Sequence, residues 1–270
     1  MIGRKLRIEY HLQDKCNLNC KACSHFSNLV KEEETKPLDK IYQDFKKIHE
    51  LTNKGDSDYM ENITIMGGEP LMYPYVSESM TLIRSLFSDV PITLLTNGIL
   101  LHKMDENFWE SIARNDISIQ ISQYPINFDY ENKIYKVLVE RKVRWTTYTI
   151  LEDDKRVFDG KWLKSKHNEN YKEIHKDCRW RYNCTHLVDG KLHLCAMIAY
   201  FPIFDKTFKG HHSISLMESD HIDLDKINSW DELQIERDKV PHFCGHCRGL
   251  DHNMEEWGRT TGEIGEYLMD

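Results

Sequence analysis

The sequence lacks any long apolar stretch. Its 270 residues are 40% hydrophobic, but no run approaches the roughly 18 apolar residues of a membrane span. The opening Met1–Lys5 also lacks the apolar stretch of a secretory signal peptide. Excess positive charge is absent, because the formal net charge is −8, and this argues against a broad nucleic-acid-binding surface. We expect a soluble, cytoplasmic protein that binds neither membranes nor nucleic acids.

We also expect the protein to contain no disulfides. The chain has eight cysteines, and without a secretory signal such a number indicates a reducing compartment and metal binding. Cys16, Cys20 and Cys23 are too close together to pair neatly with one another. Cysteine thiolates commonly hold iron–sulfur clusters, and a four-iron cluster with three local ligands keeps one iron open for chemistry. A zinc site and three unrelated buried thiols are the alternatives.

A second informative segment follows a short apolar run. Ile63–Met66 reads as a buried strand that ends in Gly67 and Gly68, where the backbone can approach a ligand closely because no Cβ intervenes. Glu69 and Pro70 follow at once. The next two predicted strands, 91–96 and 117–122, end in further polar candidates. These are Thr96, Asn97 and Ser122.

Strand and helix patterns alternate over the first 150 residues. Leu6–Leu12 and 143–150 complete the set of predicted strands. Apolar residues at three- and four-residue intervals from Leu38 to Leu51 indicate an amphipathic helix, and further helices are predicted at 76–87, 106–114 and 129–141. Strands alternating with helices imply a parallel sheet. In a βα barrel the catalytic groups lie at the C-terminal ends of the strands, where the motifs above fall.

The spacing of Cys16, Cys20 and Cys23, followed about one βα unit later by Gly67-Gly68-Glu69-Pro70, resembles the radical S-adenosylmethionine (SAM) superfamily. The resemblance implies an α/β fold, a partial (β/α)6-type TIM barrel. It also implies that the three cysteines hold a 4Fe–4S cluster whose fourth iron binds the amino and carboxylate groups of SAM. In this family the segment Gly67 to Pro70 binds the SAM amino group, and the strand ends with Thr96, Asn97 and Ser122 face the cofactor.

The remaining cysteines lie beyond a charged, weakly periodic connection from Leu151 to Asp177. Asp189-Gly190 predicts a hairpin turn, so that Cys195 ends its second strand. The pattern of Cys178, Gly190, Cys195 and the Cys244-X2-Cys247 pair resembles the twitch domain, a shortened SPASM domain. It implies a second 4Fe–4S cluster, in a small C-terminal β-hairpin/helix module, held by four ligands, namely Cys178, Cys195, Cys244 and Cys247. From spacing alone, Cys244 and Cys247 with His242 and His246 would also suit half of a zinc site.

Nearly the whole chain resembles the compact twitch-containing radical SAM dehydrogenases, the 2-deoxy-scyllo-inosamine dehydrogenase family. The implied division is a barrel at 1–175, a twitch module at 176–250 and a tail or helix at 251–270. The implied reaction oxidises a secondary alcohol to a ketone on a small polar substrate such as a sugar or aminocyclitol. The implied electron donor is a flavodoxin or ferredoxin. Ala22, where the family often has a larger residue, and Cys184 depart from the pattern.

Three other functions stay open. A radical SAM epimerase would use Cys184 as a hydrogen donor, whereas the simpler interpretation of Cys184 is a small buried side chain. A peptide-modifying maturase shares the cofactors but usually carries a leader-binding domain and a second auxiliary cluster. A zinc-stabilised binding module explains Cys244 and Cys247 but not Gly67-Gly68-Glu69-Pro70. Substrate identity is not encoded in these motifs, because specificity belongs to the pocket.

Overall fold

The structure, a computed structural model, describes residues 3–149, 151–152, 155–249 and 254–269. Its centre is a sheet of eight strands. The first five run parallel: β1 (Leu6–His11), β2 (Met60–Met66), β3 (Ile92–Thr96), β4 (Ile117–Ser122) and β5 (Trp145–Tyr148). This confirms the predicted βα alternation. The last predicted strand extends to residue 150, which lies outside the described residues.

Helices follow the first four strands and cover one face of the sheet. They are α1 (Leu38–Leu51), α2 (Val76–Leu86), α3 (Glu106–Arg114) and α4 (Lys136–Glu140). In α1 the predicted stripe is buried, with Ile41, Phe45 and Ile48 fully covered. A turn of π-helix, Glu131–Tyr135, leads into α4. These helices pack on the buried face of the strands, where Leu6, Ile8 and Tyr10 lie.

The charged connection contains more regular structure than its sequence predicts. It forms β6 (Leu151–Glu152), β7 (Lys155–Asp159), β8 (Leu163–Lys164) and α5 (Tyr171–Lys176). Strands of two residues bury too few side chains to produce a periodic pattern. Such short strands are therefore recognised only by their backbone pairing with neighbouring strands.

The predicted hairpin is present as β9 (His186–Val188) and β10 (Lys191–His193), and β11 (Ile222–Asp223) extends it. It joins the edge of the main sheet beside β1, where β9 runs parallel to β1 and Glu9 pairs with His186. The sixth parallel strand therefore comes from the hairpin. The mostly parallel sheet with its helices confirms the α/β fold class of a partial TIM barrel.

The rest of the C-terminal half contains α6 (Ala196–Phe208), α7 (Trp230–Arg237), β12 (Met254–Glu256) and β13 (Leu268–Met269). Helix α6 packs on this hairpin, whereas Trp230 and Leu233 of α7 belong to the main apolar core. The two last strands pair with β7 and β8. A second apolar core forms around α6, with Phe26, Phe204 and Tyr267 fully buried. The main sheet contains strands from both sides of residue 175, the predicted end of the barrel segment. The division of the chain into barrel, twitch module and tail stays a prediction.

No helix in the described part of the chain is long and apolar enough to cross a membrane.

The face of the sheet turned away from the helices, which we call the inner face, carries polar side chains. One row of register partners crosses five strands: His186, Glu9, Thr64, Thr93 and Ser118. Within it the Thr93 and Ser118 hydroxyls lie 2.9 Å apart. In a barrel this face lines the interior, so the row forms a polar inner wall.

Candidate functional site

The three-cysteine loop follows β1 directly. Cys16, Cys20 and Cys23 are half-buried and none forms a disulfide. The loop turns tightly, with positive φ at Asn19 and Ala22. Burial raises the pKa of the Cys16 and Cys20 thiols to about 12. Such buried thiols become thiolates when a cationic cluster binds, because metal ligation favours the deprotonated form.

The end of the chain covers this loop. The backbone N–H of Lys21 donates to the Gly258 carbonyl, 2.9 Å, and the N–H of Thr260 donates to the Asn19 carbonyl, 2.9 Å. Cys20 forms an isolated bridge with Arg259. The sequence predicted only a tail or helix here; residues 254–269 contain two short strands, and the segment between the strands forms the hydrogen bonds to the loop.

Gly67 and Gly68 lie against the start of the three-cysteine loop. A Cβ on Gly67 would lie 2.2 Å from the Gln13 carbonyl oxygen, and one on Gly68 would lie 2.3 Å from the oxygens of Asp14 and Lys15. The N–H of Gly68 donates to the Gln13 carbonyl, 2.9 Å. The close contact at these glycines is made by the chain's own backbone, and the expected approach of a ligand stays a prediction.

We expect Gly68→Ala to destabilise the fold by about 3 kcal/mol or more, the upper end of the cost of overpacking, because both neighbouring oxygens belong to the backbone. The measurement is the midpoint of urea unfolding. Gly265→Ala is the matched control, since a Cβ there meets nothing within 4 Å. Equal midpoints for the two variants would contradict this prediction.

Glu69 joins the ends of β2 and β3. Its fully buried carboxylate accepts hydrogen bonds from the Thr96 hydroxyl, 2.6 Å, the Asn97 N–H, 2.9 Å, and the Leu71 N–H, 3.0 Å. The side-chain amide of Asn97 donates a hydrogen bond to Asn17 Oδ1, 2.7 Å away, within the three-cysteine loop. The structure therefore brings Glu69, Thr96 and Asn97 together beside that loop.

Pro70 begins the short turn Pro70–Met72 that Glu69 caps. Ser122 lies half-buried at the end of β4 and pairs with Tyr148 on β5. It stands at the predicted edge of the sheet, one strand beyond β3. All the predicted cofactor-binding residues thus lie at the C-terminal ends of β2, β3 and β4.

Burial raises the pKa of Glu69 to about 7 from 4.5, although its three hydrogen bonds lower it. A raised carboxyl pKa means that the folded state holds its proton more tightly than the unfolded state. The resulting stabilisation is fully present below pH 4.5 and is lost as pH rises through 7. For cofactor-free protein, we expect this loss to reach about 3 kcal/mol.

Urea unfolding at a series of pH values measures the loss. Glu69→Gln should flatten this part of the pH profile because its amide does not titrate. Glu61→Gln, which changes a half-exposed carboxylate, is the control and should follow the wild-type profile. Parallel profiles for the wild type and Glu69→Gln would show that Glu69 does not titrate in this range.

The other four predicted ligands line one common cavity. Cys178, Cys195, Cys244 and Cys247 all line a space of about 60 Å³, together with apolar side chains such as Trp162. Cys178 follows α5, and Cys195 immediately precedes α6. The other two belong to the turn around His242–His246. Four thiols around one largely apolar space fit a cluster whose irons are all bound by protein.

Backbone N–H groups point at two of these sulfurs. Burial raises the pKa of Cys195 to about 12, while the N–H groups of Met197 and Ile198 at the start of α6 lower it. The Gly249 N–H donates to Cys247 Sγ, 3.4 Å. Donors of this kind favour thiolate over thiol.

His242 and His246, which could form half of a zinc site with Cys244 and Cys247, have other contacts in the structure. The His242 ring stacks on His167 with centroids 4.1 Å apart, and His246 Nδ1 lies 3.1 Å from the Lys164 carbonyl. His175, which the sequence analysis did not single out, places Nδ1 3.6 Å from Cys244 Sγ.

One group of three potential ligand atoms lies within 4.8 Å of one another in the part of the chain that the structure describes, namely Glu9, Cys184 and His186. Neither cysteine set has this tight spacing. A wider spacing suits a cluster, whose ligands bind different irons, better than a single ion. The sequence analysis missed Glu9 and His186 because it used only the apolar positions of β1 and the turn of the hairpin.

The model of the radical SAM superfamily matches residues 10–151, just over half of the chain. The chain therefore belongs to the radical SAM superfamily. Membership implies one 4Fe–4S cluster and SAM as cofactors.

Curated relatives match part of the chain. The GTP 3',8-cyclase of Alkaliphilus oremlandii is 29% identical over 117 residues, which is 42% of this chain and 35% of that protein. The GTP 3',8-cyclase of Helicobacter pylori strain 26695 is 31% identical over 115 residues, 42% of this chain and 34% of that protein. The chain thus spans about a third of the length of these relatives.

One solved structure is similar over the whole of both chains. It is BtrN in complex with AdoMet and 2-DOIA, with a TM-score of 0.53 and 14% identity. At this identity the likeness concerns the fold.

Proposed function

We propose that the protein is a radical SAM oxidoreductase that oxidises a secondary alcohol of a small polar substrate, such as a sugar or aminocyclitol, to a ketone. The observation that carries this proposal is the second set of cysteines. Its four thiols surround a cavity whose lining includes none of Cys16, Cys20 and Cys23. A cluster bound there by four cysteines has no open iron for substrate, which suits it to accept an electron.

In this proposal Cys16, Cys20 and Cys23 hold the first 4Fe–4S cluster. Gly67, Gly68, Glu69 and Pro70 place the methionyl end of SAM, while Thr96, Asn97 and Ser122 border the cofactor from neighbouring strands. Cys178, Cys195, Cys244 and Cys247 hold the second cluster. When bound, the first cluster and SAM supply a radical that removes a hydrogen atom from an unactivated C–H bond.

The chain's own residues would exclude water and bind the substrate. Residues 254–269 cover the three-cysteine loop, and the polar row from Glu9 to Ser118 offers hydrogen bonds to hydroxyl groups along the inner face. The full-length fold likeness to BtrN, solved with AdoMet and 2-DOIA, supports a substrate of this class. We further propose a flavodoxin or ferredoxin as electron donor in the cytoplasm.

Epimerisation is the second candidate, because Cys184 is only partly buried and contacts Glu9 of the polar inner row at 3.5 Å. The cyclase relatives match too little of their own length to favour cyclisation of a nucleotide here.

The test is anaerobic incubation of the two-cluster protein with SAM, a reductant and a panel of sugars and aminocyclitols. We expect one 5′-deoxyadenosine for each ketone formed, detected by mass spectrometry. Solvent deuterium at a carbon of unchanged oxidation state would instead identify an epimerase. SAM cleavage with GTP alone as productive substrate would replace the proposal by cyclisation.

A further inference from the structure

We propose that Glu9, Cys184 and His186 form a mononuclear zinc site, separate from both cysteine sets, with an open fourth position. Glu9 Oε2 lies 2.9 Å from His186 Nε2 and 3.5 Å from Cys184 Sγ, and Cys184 Sγ lies 3.4 Å from His186 Nε2. Zinc bonds of about 2.0–2.3 Å place tetrahedral ligand atoms about 3.3–3.8 Å apart. Two of the three distances already fall in this range.

The backbone holds the three side chains in place. Glu9 on β1 and His186 on β9 are register partners in neighbouring strands, and the Glu9 N–H donates to the Thr185 carbonyl, 2.8 Å. Cys184 precedes this paired segment by two residues, and its N–H donates to the Trp180 carbonyl, 3.2 Å. For Glu9 and His186, a frame of paired strands supports metal ligands better than a loop does, whereas Cys184 lies in the bend before β9.

The second nitrogen of His186 has the partner that a zinc-bound histidine needs. Its Nδ1 lies 3.3 Å from the hydroxyl of Tyr200, a side chain that is almost completely buried. A hydrogen bond at this position fixes the tautomer in which Nε2 is free to bind metal. The Tyr200 ring is itself held by stacking on His11, with centroids 3.9 Å apart.

The three ligands would bind zinc in their deprotonated forms, namely the Glu9 carboxylate, the Cys184 thiolate and the neutral imidazole of His186, so zinc binding would release the thiol proton to solvent.

The ligand set points to zinc and to an open site. One thiolate, one imidazole and one carboxylate match the ligands that zinc takes, and three protein ligands are the number in catalytic rather than structural zinc sites. His186 is fully buried, but the Glu9 side chain is 24% exposed, so solvent can reach the carboxylate end of the site. Water or a substrate hydroxyl would occupy the fourth position.

The test uses the full-length protein with both iron–sulfur clusters assembled, expressed with added zinc and freed of loose metal by a weak chelator. We expect about one zinc per chain beside the iron. X-ray absorption at the zinc edge should show one sulfur at about 2.3 Å and nitrogen or oxygen ligands at about 2.0–2.2 Å. Zinc bound in place of iron by a cysteine set would show three or four sulfurs and would overturn the proposal.

Variants identify the ligands by zinc content at unchanged iron content. Cys184→Ser and Glu9→Gln should each weaken zinc retention more than tenfold, and Tyr200→Phe by about 10- to 100-fold, the usual cost of losing such an outer partner. Glu61→Gln, a half-exposed carboxylate, is the control and should keep its zinc. Absence of zinc from the wild type, or zinc retained equally by Cys184→Ser, would overturn the proposal. None of these readouts depends on the proposed reaction.

Discussion

Protein in which Cys16, Cys20 and Cys23 are all changed to alanine is expected to keep half of the wild-type iron and to cleave no SAM. Two 4Fe–4S clusters give about eight irons per chain after anaerobic reconstitution, and the triple change removes all protein ligands of one of them. The second set lines its own cavity, so its iron should remain. Iron analysis and the yield of 5′-deoxyadenosine measure the two effects.

Cys184→Ala is the matched control for this experiment, because it removes a thiol that belongs to neither cysteine set. Its iron content should equal that of the wild type. Cleavage of SAM by the triple variant, or zinc in place of iron in the wild-type protein, would defeat the assignment of the three-cysteine loop.

Much of the barrel could be predicted from sequence because its signals are local. β1 alternates between buried residues such as Ile8 and partly exposed ones such as Glu9, and α1 repeats apolar residues at helical spacing. Both patterns arise within one element that packs on one side against a core. The predicted alternation of strands and helices, and with it the parallel sheet, followed from these patterns.

Contacts between distant segments could not be predicted in the same way. The pairing of Glu9 with His186 depends on the hairpin joining the sheet beside β1, and no periodicity in either segment specifies that neighbour. The cover formed by residues 254–269 depends on backbone hydrogen bonds to Asn19 and Lys21, which side-chain patterns do not record. At Gly68 the sequence predicted a close approach to a ligand, and it did not predict the close contact with the backbone of Asp14 and Lys15.

The residues of the candidate site were likewise predictable from sequence only in part. The spacing of Cys16, Cys20 and Cys23 predicted one ligand set, because residues close in sequence are constrained to lie close in space. A family resemblance implied the second set, and the structure places its four thiols around one cavity. Neither signal pointed to Glu9, whose polarity can be interpreted only once the inner face of the sheet is known. A polar residue alternating with buried apolar ones looks solvent-facing in sequence, whereas in a barrel it faces the interior.

The second large effect that we expect is the loss of ketone formation when the ligands of the second cluster are changed. Changing Cys244 and Cys247 together to alanine should remove about half of the iron, spare part of the SAM cleavage and abolish formation of the ketone. The first ligand set and Glu69 are untouched, so cleavage can continue, but the electron left on the substrate has no acceptor.

The double change also enlarges the cavity beside Trp162 and Phe243, and cavities lower stability. Cys244→Ser with Cys247→Ser is therefore the companion variant, because serine keeps most of the volume and loses the thiolate ligands. Thermal unfolding of both variants separates loss of packing from loss of the cluster. We expect both to make 5′-deoxyadenosine without ketone. Normal ketone formation by a variant that holds only the first cluster would show that the second cluster does not accept the electron, and the dehydrogenase mechanism would then be wrong.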